Sequence, residues 1–386
     1  MKTEVDVLVV GGGPAGLAAA ERAARGGSVL VVHRDREIGL PIRTSGASWR
    51  GHLRELEIPP ALYHDIDSML FASPGRNVVT QFGEDRPVVI DITGTYRHLA
   101  HLAERAGAEI RCGTTFKRIV QNGGDRVTCL LDSGDEISAR YVVDASGHHR
   151  AVVSQIGGPQ RPERIAVGVE HEYRNVGTDP RRVVLFVGSE CAPAGYGWIF
   201  PTGIGTVRVG VGVIRPDTKV SPADLLDAFL RSPQARAMGL DVGELLEKHF
   251  GAIPSDGTMP RFVHGRVVSV GDSAGQALAL VGEGIRYCVD AGRHAGDALA
   301  DSALDDYEGW WNGRYRRRFD LAQLANERMG TFGDAEWDIV ASLLEGLSGD
   351  DVAALLRVEF GKMLAARLAL KGGRRAGRFF LRPVFG

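Results

Sequence analysis

Three glycines carry the first chemical signal in this chain. Gly11, Gly13 and Gly16 stand in the spacing G-x-G-x-x-G, directly after an apolar stretch at 5–10. The first glycine of such a loop allows a tight turn. The second removes a side chain where a pyrophosphate approaches the backbone, and the third lets the next helix pack close to the strand. The alanine-rich stretch that follows suits a helix, whose first unpaired N–H groups favour an anion. This context predicts dinucleotide binding. A second signal is Asp272, in G-D-S-A-G at 271–275 after an apolar strand at 267–270, with G-E-G-I-R-Y at 282–287. A carboxylate there either caps a turn or accepts a hydrogen bond from a ligand hydroxyl. Gly284 and Ile285 open the next expected helix. A third is Y-G-W-I-F-P at 196–201, where Tyr196, Trp198 and Phe200 alternate and share one face of a strand. They form either sheet core or an aromatic wall for an apolar ligand.

Residues 1–35 read as strand, helix and strand. A carboxylate normally ends the second strand and binds the ribose hydroxyls; here His33 stands there, followed by Arg34 and Asp35. We expect His33 and Arg34 at the adenosine end of the ligand. Helices are expected near 51–56 and 96–106, and short strands at 109–112, 115–120, 126–131, 136–138 and 141–144. Residues 165–215 alternate strongly, as in an antiparallel sheet with one buried face. Ser221 and Pro222 have the chemistry of a helix cap and first turn. Residues 301–386 read as mainly helical. The fold class is α/β. A discontinuous Rossmann-type dinucleotide-binding domain is expected from 1–72, 92–164 and 260–300. An antiparallel-sheet substrate domain is inserted from 73–91 and 165–259, and a helical C-terminal region occupies 301–386.

The chain has 386 residues, 44% of them hydrophobic, and a formal net charge of −2, which gives no case for nucleic-acid binding. Cys112, Cys129, Cys191 and Cys288 are scattered, with no metal-ligand spacing, so no metal site is expected. A reducing, cytoplasmic location is expected, since no signal-like segment precedes the first strand and no apolar run approaches bilayer length. Between 361 and 386 there are seven basic residues, no acidic ones, and interleaved phenylalanines. Such a tail suits peripheral contact with an anionic membrane, or docking on its own protein.

Four motifs together, the glycine loop, D-A-S-G at 144–147, the 196–201 run and the 271–287 region, resemble FAD-dependent flavoproteins built like para-hydroxybenzoate hydroxylase. Within these the set is most similar to the geranylgeranyl reductase family. The resemblance implies that Gly11, Gly13, Ala15 and Gly16 take the pyrophosphate of FAD. It puts Thr44 and Ser45 in a segment passing the flavin, Arg97 at the cofactor and Ile119 near the adenine. It also implies that Asp272 holds a ribityl hydroxyl. Gly284 and Ile285 would turn a helix N-terminus towards the flavin pyrimidine edge, where negative charge gathers on reduction. Arg43 suits a phosphate or a substrate anion. Family members from archaea often carry a cysteine where this chain has Thr44.

The implied activity is reduction of carbon–carbon double bonds in an isoprenoid or similarly apolar substrate. The flavin itself is the reactive group; Tyr196, Trp198 and Phe200 are substrate-wall candidates, and no acid or base is assigned. The chain shows one dinucleotide fingerprint, so NADPH binds transiently or an electron-donor protein replaces it. The alternative is a monooxygenase that hydroxylates an aromatic or polyketide-like metabolite with NAD(P)H and O2, since one fold serves both chemistries.

Overall fold

The computed structural model describes residues 2–175, 177–240, 242–359, 361 and 364. They fall into two compact units, each drawn from three separated stretches. Unit 1 comprises Met1–Ile42, Ile92–Glu163 and Ile253–Phe319; unit 2 comprises Arg43–Asp91, Arg164–Ala252 and Asp320–Gly386.

Unit 1 is built on a sheet in the order Val263–His264, Val267–Ser269, Glu136–Asp144, Lys2–Val10, Val29–His33 and Glu109–Cys112. The strands from Val267–Ser269 to Glu109–Cys112 run parallel. Leu8, Val9, Val31 and Val142 are all fully buried, which explains their near-continuous apolar sequences. Two strands expected at 136–138 and 141–144 are one, Glu136–Asp144. Its first half pairs with Arg126–Leu131 and its second with Val267–Ser269, and this change of partner is what made the sequence look interrupted. Helix Pro14–Ala23 starts on proline and packs on helix Ile285–Ala300. A side chain at Gly292 or Gly296 would meet the carbonyls of Ala15 and Ala19 at 2.2 and 2.5 Å.

Unit 2 holds a seven-stranded sheet in the order Val242–Pro254, Ile165–Asn175, Thr206–Arg215, Ala192–Pro201, Arg182–Gly188, Ser68–Ala72 and Asn77–Gln81. Helix Pro222–Arg231, capped by the Ser221 hydroxyl, covers one face and stacks Phe229 on Phe186 at 3.9 Å. The other face packs Trp198, Phe200 and Phe71 against Trp337, Ala341, Val352 and Ala353 of helices Asp334–Leu344 and Gly349–Leu356. Residues 43–72, expected with the glycine loop, lie in this unit. Ala47–Trp49 and Tyr63–Asp65 both pair with Pro87–Ile90, and Ser68–Ala72 pairs with Arg182–Gly188. The helical C-terminal stretch is shared between the units and does not stand alone. Among the described residues no helix is long and apolar enough to cross a membrane. The basic tail lies outside the described residues.

Candidate cofactor and substrate site

In unit 1 the three loop glycines have different reasons to be glycine. Gly11 has φ +118°, and a Cβ there would sit 2.1 Å from the Ala145 carbonyl. A Cβ on Gly16 would sit 2.0 Å from the Gly11 carbonyl. At Gly13 it would meet no protein atom within 4 Å. Protein packing therefore requires the first and third glycines, whereas the second leaves a cradle open. Gly12 is fixed as well: its N–H donates to Nδ1 of His33 at 3.1 Å, and a Cβ would strike the His33 ring. His33 Nε2 faces Asp35 at 3.4 Å. The ring expected to reach a ribose is thus engaged with the loop, and a carboxylate stands two residues beyond the usual place.

The D-A-S-G motif is structural in origin. The fully buried Asp144 carboxylate accepts from Ser146 N–H and Oγ and from the N–H groups of Val152 and Val153, at 2.6–3.1 Å. It thereby pins the turns that hold Ala145 against the glycine loop. The His148 and His149 rings lie tilted against each other, 4.1 Å apart, just beyond. Burial, then the charges of His149, Arg161 and Arg34, push His148 down to about 4. Arg150, buried and in the left-handed region at φ 51°, donates to the Ser273 carbonyl at 3.1 Å. It anchors the turn that carries Asp272.

Asp272 lies inside the turn Gly271–Ala274 and caps no helix. Its carboxylate faces Gly284, where a Cβ would stand 3.8 Å from Oδ1, in ordinary contact only. The Cys288 thiol, itself pushed upward by burial and by Asp272, lies 4.0 Å from the same oxygen. Desolvation pushes the Asp272 carboxyl up to about 6. Gly271 is held by Gln276, whose Oε1 accepts its N–H at 2.7 Å, and it abuts Ala15. Direct contacts thus join the glycine loop, His33, the 144–147 turn, Asp272 and Gly284. Arg97 is exposed and paired with Glu37 at 3.0 Å. Arg34 is exposed too. The Ile119 N–H donates to Gln155 Oε1 at 3.0 Å on the outlying strand Phe116–Gly123. Ile285 is buried at the start of its helix.

In unit 2, Arg43 is exposed, while Thr44 and Ser45 are half-buried. The Ser45 carbonyl accepts from Arg208, which also donates to the Ile90 carbonyl, both at 3.2 Å. Arg208 is buried and paired with Glu172 at 3.0 Å. Thr206 donates to the same carboxylate, which holds it below the usual range despite burial. Tyr196, Trp198 and Phe200 do share a face. Trp198 and Phe200 are buried, and Tyr196 is half-buried with its phenol pushed up to about 12 by desolvation. Sequence reasoning missed Arg150, Glu170, Glu172, Arg208 and His249. The signal was present for the two glutamates, since V-E-H-E-Y places charges at period two inside an apolar strand.

Comparison with known proteins bears on this layout. A family description for FAD-dependent oxidoreductases matches residues 6–155, and one for the geranylgeranyl reductase catalytic domain matches 164–252. The digeranylgeranylglycerophospholipid reductase of Methanosarcina acetivorans is 30% identical, over 89% of this chain and 89% of its own length. The chain belongs to the geranylgeranyl reductase family. A second family member, digeranylgeranylglycerophospholipid reductase 2 of Methanothermobacter thermautotrophicus, is 26% identical over 93% of this chain and 96% of its own. A geranylgeranyl bacteriochlorophyll reductase-like protein from Thermoplasma acidophilum shares the fold, with a TM-score of 0.86, 22% identity and 98% of each chain covered. As a geranylgeranyl reductase family member the protein is an FAD-dependent oxidoreductase, a reductase rather than a monooxygenase. The open cradle at Gly13 and the desolvated carboxyl of Asp272 fit an FAD pyrophosphate and a hydroxyl donor respectively.

Proposed function

We propose that this protein reduces carbon–carbon double bonds in a geranylgeranyl-type lipid or similar polyprenyl chain. Bound FAD supplies the hydride. The chain's residues bind and orient. The backbone at Gly11, Gly13, Ala15 and Gly16 takes the pyrophosphate, and the first turn of helix Pro14–Ala23 favours its charge. Asp272 accepts a ribityl hydroxyl, and Gly284 and Ile285 offer a helix N-terminus at the pyrimidine edge. Arg34 and Asp35 serve the adenosine end together with Ile119, while Arg97 and Arg43 meet anionic groups. Thr44 and Ser45 meet the flavin, and Arg208 holds the Ser45 carbonyl. Half-buried Tyr196 presents an aromatic ring to the substrate, and Trp198 and Phe200 pack behind it in the core. NADPH or a donor protein re-reduces the cofactor, and the basic tail brings the enzyme to the membrane that holds its lipid.

The observation that carries this reading is the nucleotide cradle of unit 1, in a chain 30% identical over 89% of its length to a digeranylgeranylglycerophospholipid reductase. The test is anaerobic. Photoreduced protein is mixed with geranylgeranyl compounds, and flavin absorbance and product saturation are followed. Reoxidation with formation of saturated product is expected. Reoxidation by oxygen alone, coupled to hydroxylation of an aromatic, would overturn it.

A further inference from the structure

Strand Val242–Pro254 closes one end of the unit 2 sheet, beside Ile165–Asn175. Arg174 meets Glu244 at 3.4 Å and Glu170 meets His249 at 2.9 Å, so the two strands run antiparallel. Among the described residues no strand pairs with the outer side of Val242–Pro254. Its two faces are bare as well. Side chains alternate between the faces of a strand, yet residues 243–248 are all exposed. Leu245, Leu246 and Phe250 are 42%, 38% and 59% exposed. The opposite edge, Asn77–Gln81, differs. It alternates exposed and buried, because helix Asp334–Leu344 packs on Val78 from one face. Val242–Pro254 thus combines open apolar side chains with an unpaired row of N–H and C=O groups, a template for another strand.

The sequence of this edge complements itself. Laid antiparallel on a second copy with Leu246 opposite Leu246, Glu244 of each copy faces Lys248 of the other. Positions 244, 246 and 248 share a face, so two opposite-charge pairs flank one leucine pair. Moving the axis one residue along sets Glu247 against Glu247, or Leu245 against Leu245 with Glu244 opposite Leu246, and neither register pairs opposite charges. In the favoured register Glu247 falls opposite Leu245, and its carboxylate already meets His249 Nε2 of its own chain at 3.0 Å. The Glu244–Arg174 pair joins two exposed side chains and holds Glu244 only weakly. We infer that this edge is an interface between two copies of this chain, joined strand to strand about a two-fold axis at Leu246, so that one sheet runs through both. Such an axis repeats every contact, and it leaves no open edge on that side.

The test is sedimentation velocity of the flavin-loaded full chain over about a hundredfold range of concentration. A concentration-dependent dimer is expected. Lys248→Glu sets like charges opposite each other twice and should weaken the dimer about tenfold, as should Glu244→Lys. The double variant Glu244→Lys/Lys248→Glu restores both pairs in reverse and should return the dimer to within about threefold of wild type. Both side chains are exposed, so the variants should fold, and matched melting temperatures check this. A wild type that stays monomeric throughout would overturn the inference. So would single variants that dimerise as wild type does, or a double variant no better than the singles. A monomer that instead sediments with phosphatidylglycerol vesicles, and releases them on Leu246→Glu, would assign the edge to a lipid surface and overturn the inference in the same way.

Discussion

At the scale of single residues, Gly13 and Asp272 separate binding from folding. Gly13 has φ −82° and ψ 178°, ordinary for any residue, and open space where a Cβ would go. Gly13→Ala should therefore melt within about 0.5 kcal/mol of wild type as apoprotein, yet lose flavin on gel filtration. Gly16→Ala, driven into the Gly11 carbonyl, should fail to fold. The Asp272 carboxyl is raised from 3.8 to about 6, so its charged form is disfavoured in the folded apoprotein. The apoprotein should lose about 2–3 kcal/mol of stability as pH rises from 4 to 6, and hold that lower level above. Asp272→Asn should remove this loss in apoprotein melts across that range, while lowering the flavin-to-protein ratio. An unchanged ratio would rule out the ribityl role. The glycine spacing was legible because it answers to backbone sterics. The part of His33 was not, since its ring folds back on Gly12, and nothing in the order of residues announces that contact.

At the scale of elements, alternation revealed the strands of unit 2, and the cap chemistry of Ser221 located helix Pro222–Arg231. Strand Glu136–Asp144 was misread as two, because a strand that changes partner midway changes its burial pattern too. Segment 43–72 was misplaced because three-residue strands such as Ala47–Trp49 are too short to show a period. The turn after Glu136–Asp144 depends on one carboxylate. Asp144→Ala would strand buried N–H donors at Val152 and Val153 and should cost roughly 3–5 kcal/mol in denaturant titrations. Asp144→Asn, which keeps two acceptor lone pairs on one oxygen only, should cost less.

At the scale of the whole molecule, each unit closes only when distant stretches meet. Unit 1 needs Val267–Ser269 beside Glu136–Asp144, and the aromatic sheet face of unit 2 is covered by helices from beyond residue 333. The sequence grouped 92–164 with 260–300 and 73–91 with 165–259, but did not show which strands pair or which helices cover the sheet face. A chain ending at Gly333 lacks Trp337, Ala341, Val352 and Ala353, so Phe71, Val78, Val187 and Phe200 lose their cover. That chain should bind a hydrophobic dye strongly and scatter light where the full chain does not. Normal dye binding would show that the sheet face is closed by other means.

The packing beneath Trp198 also limits how this part of the sequence can vary. Gly210 stands beside Trp198 in register, and a Cβ there would come 2.3 Å from the indole. A larger residue at 210 and a tryptophan at 198 therefore exclude each other. The cost of a side chain at 210 depends on the ring at 198, which makes the two positions epistatic.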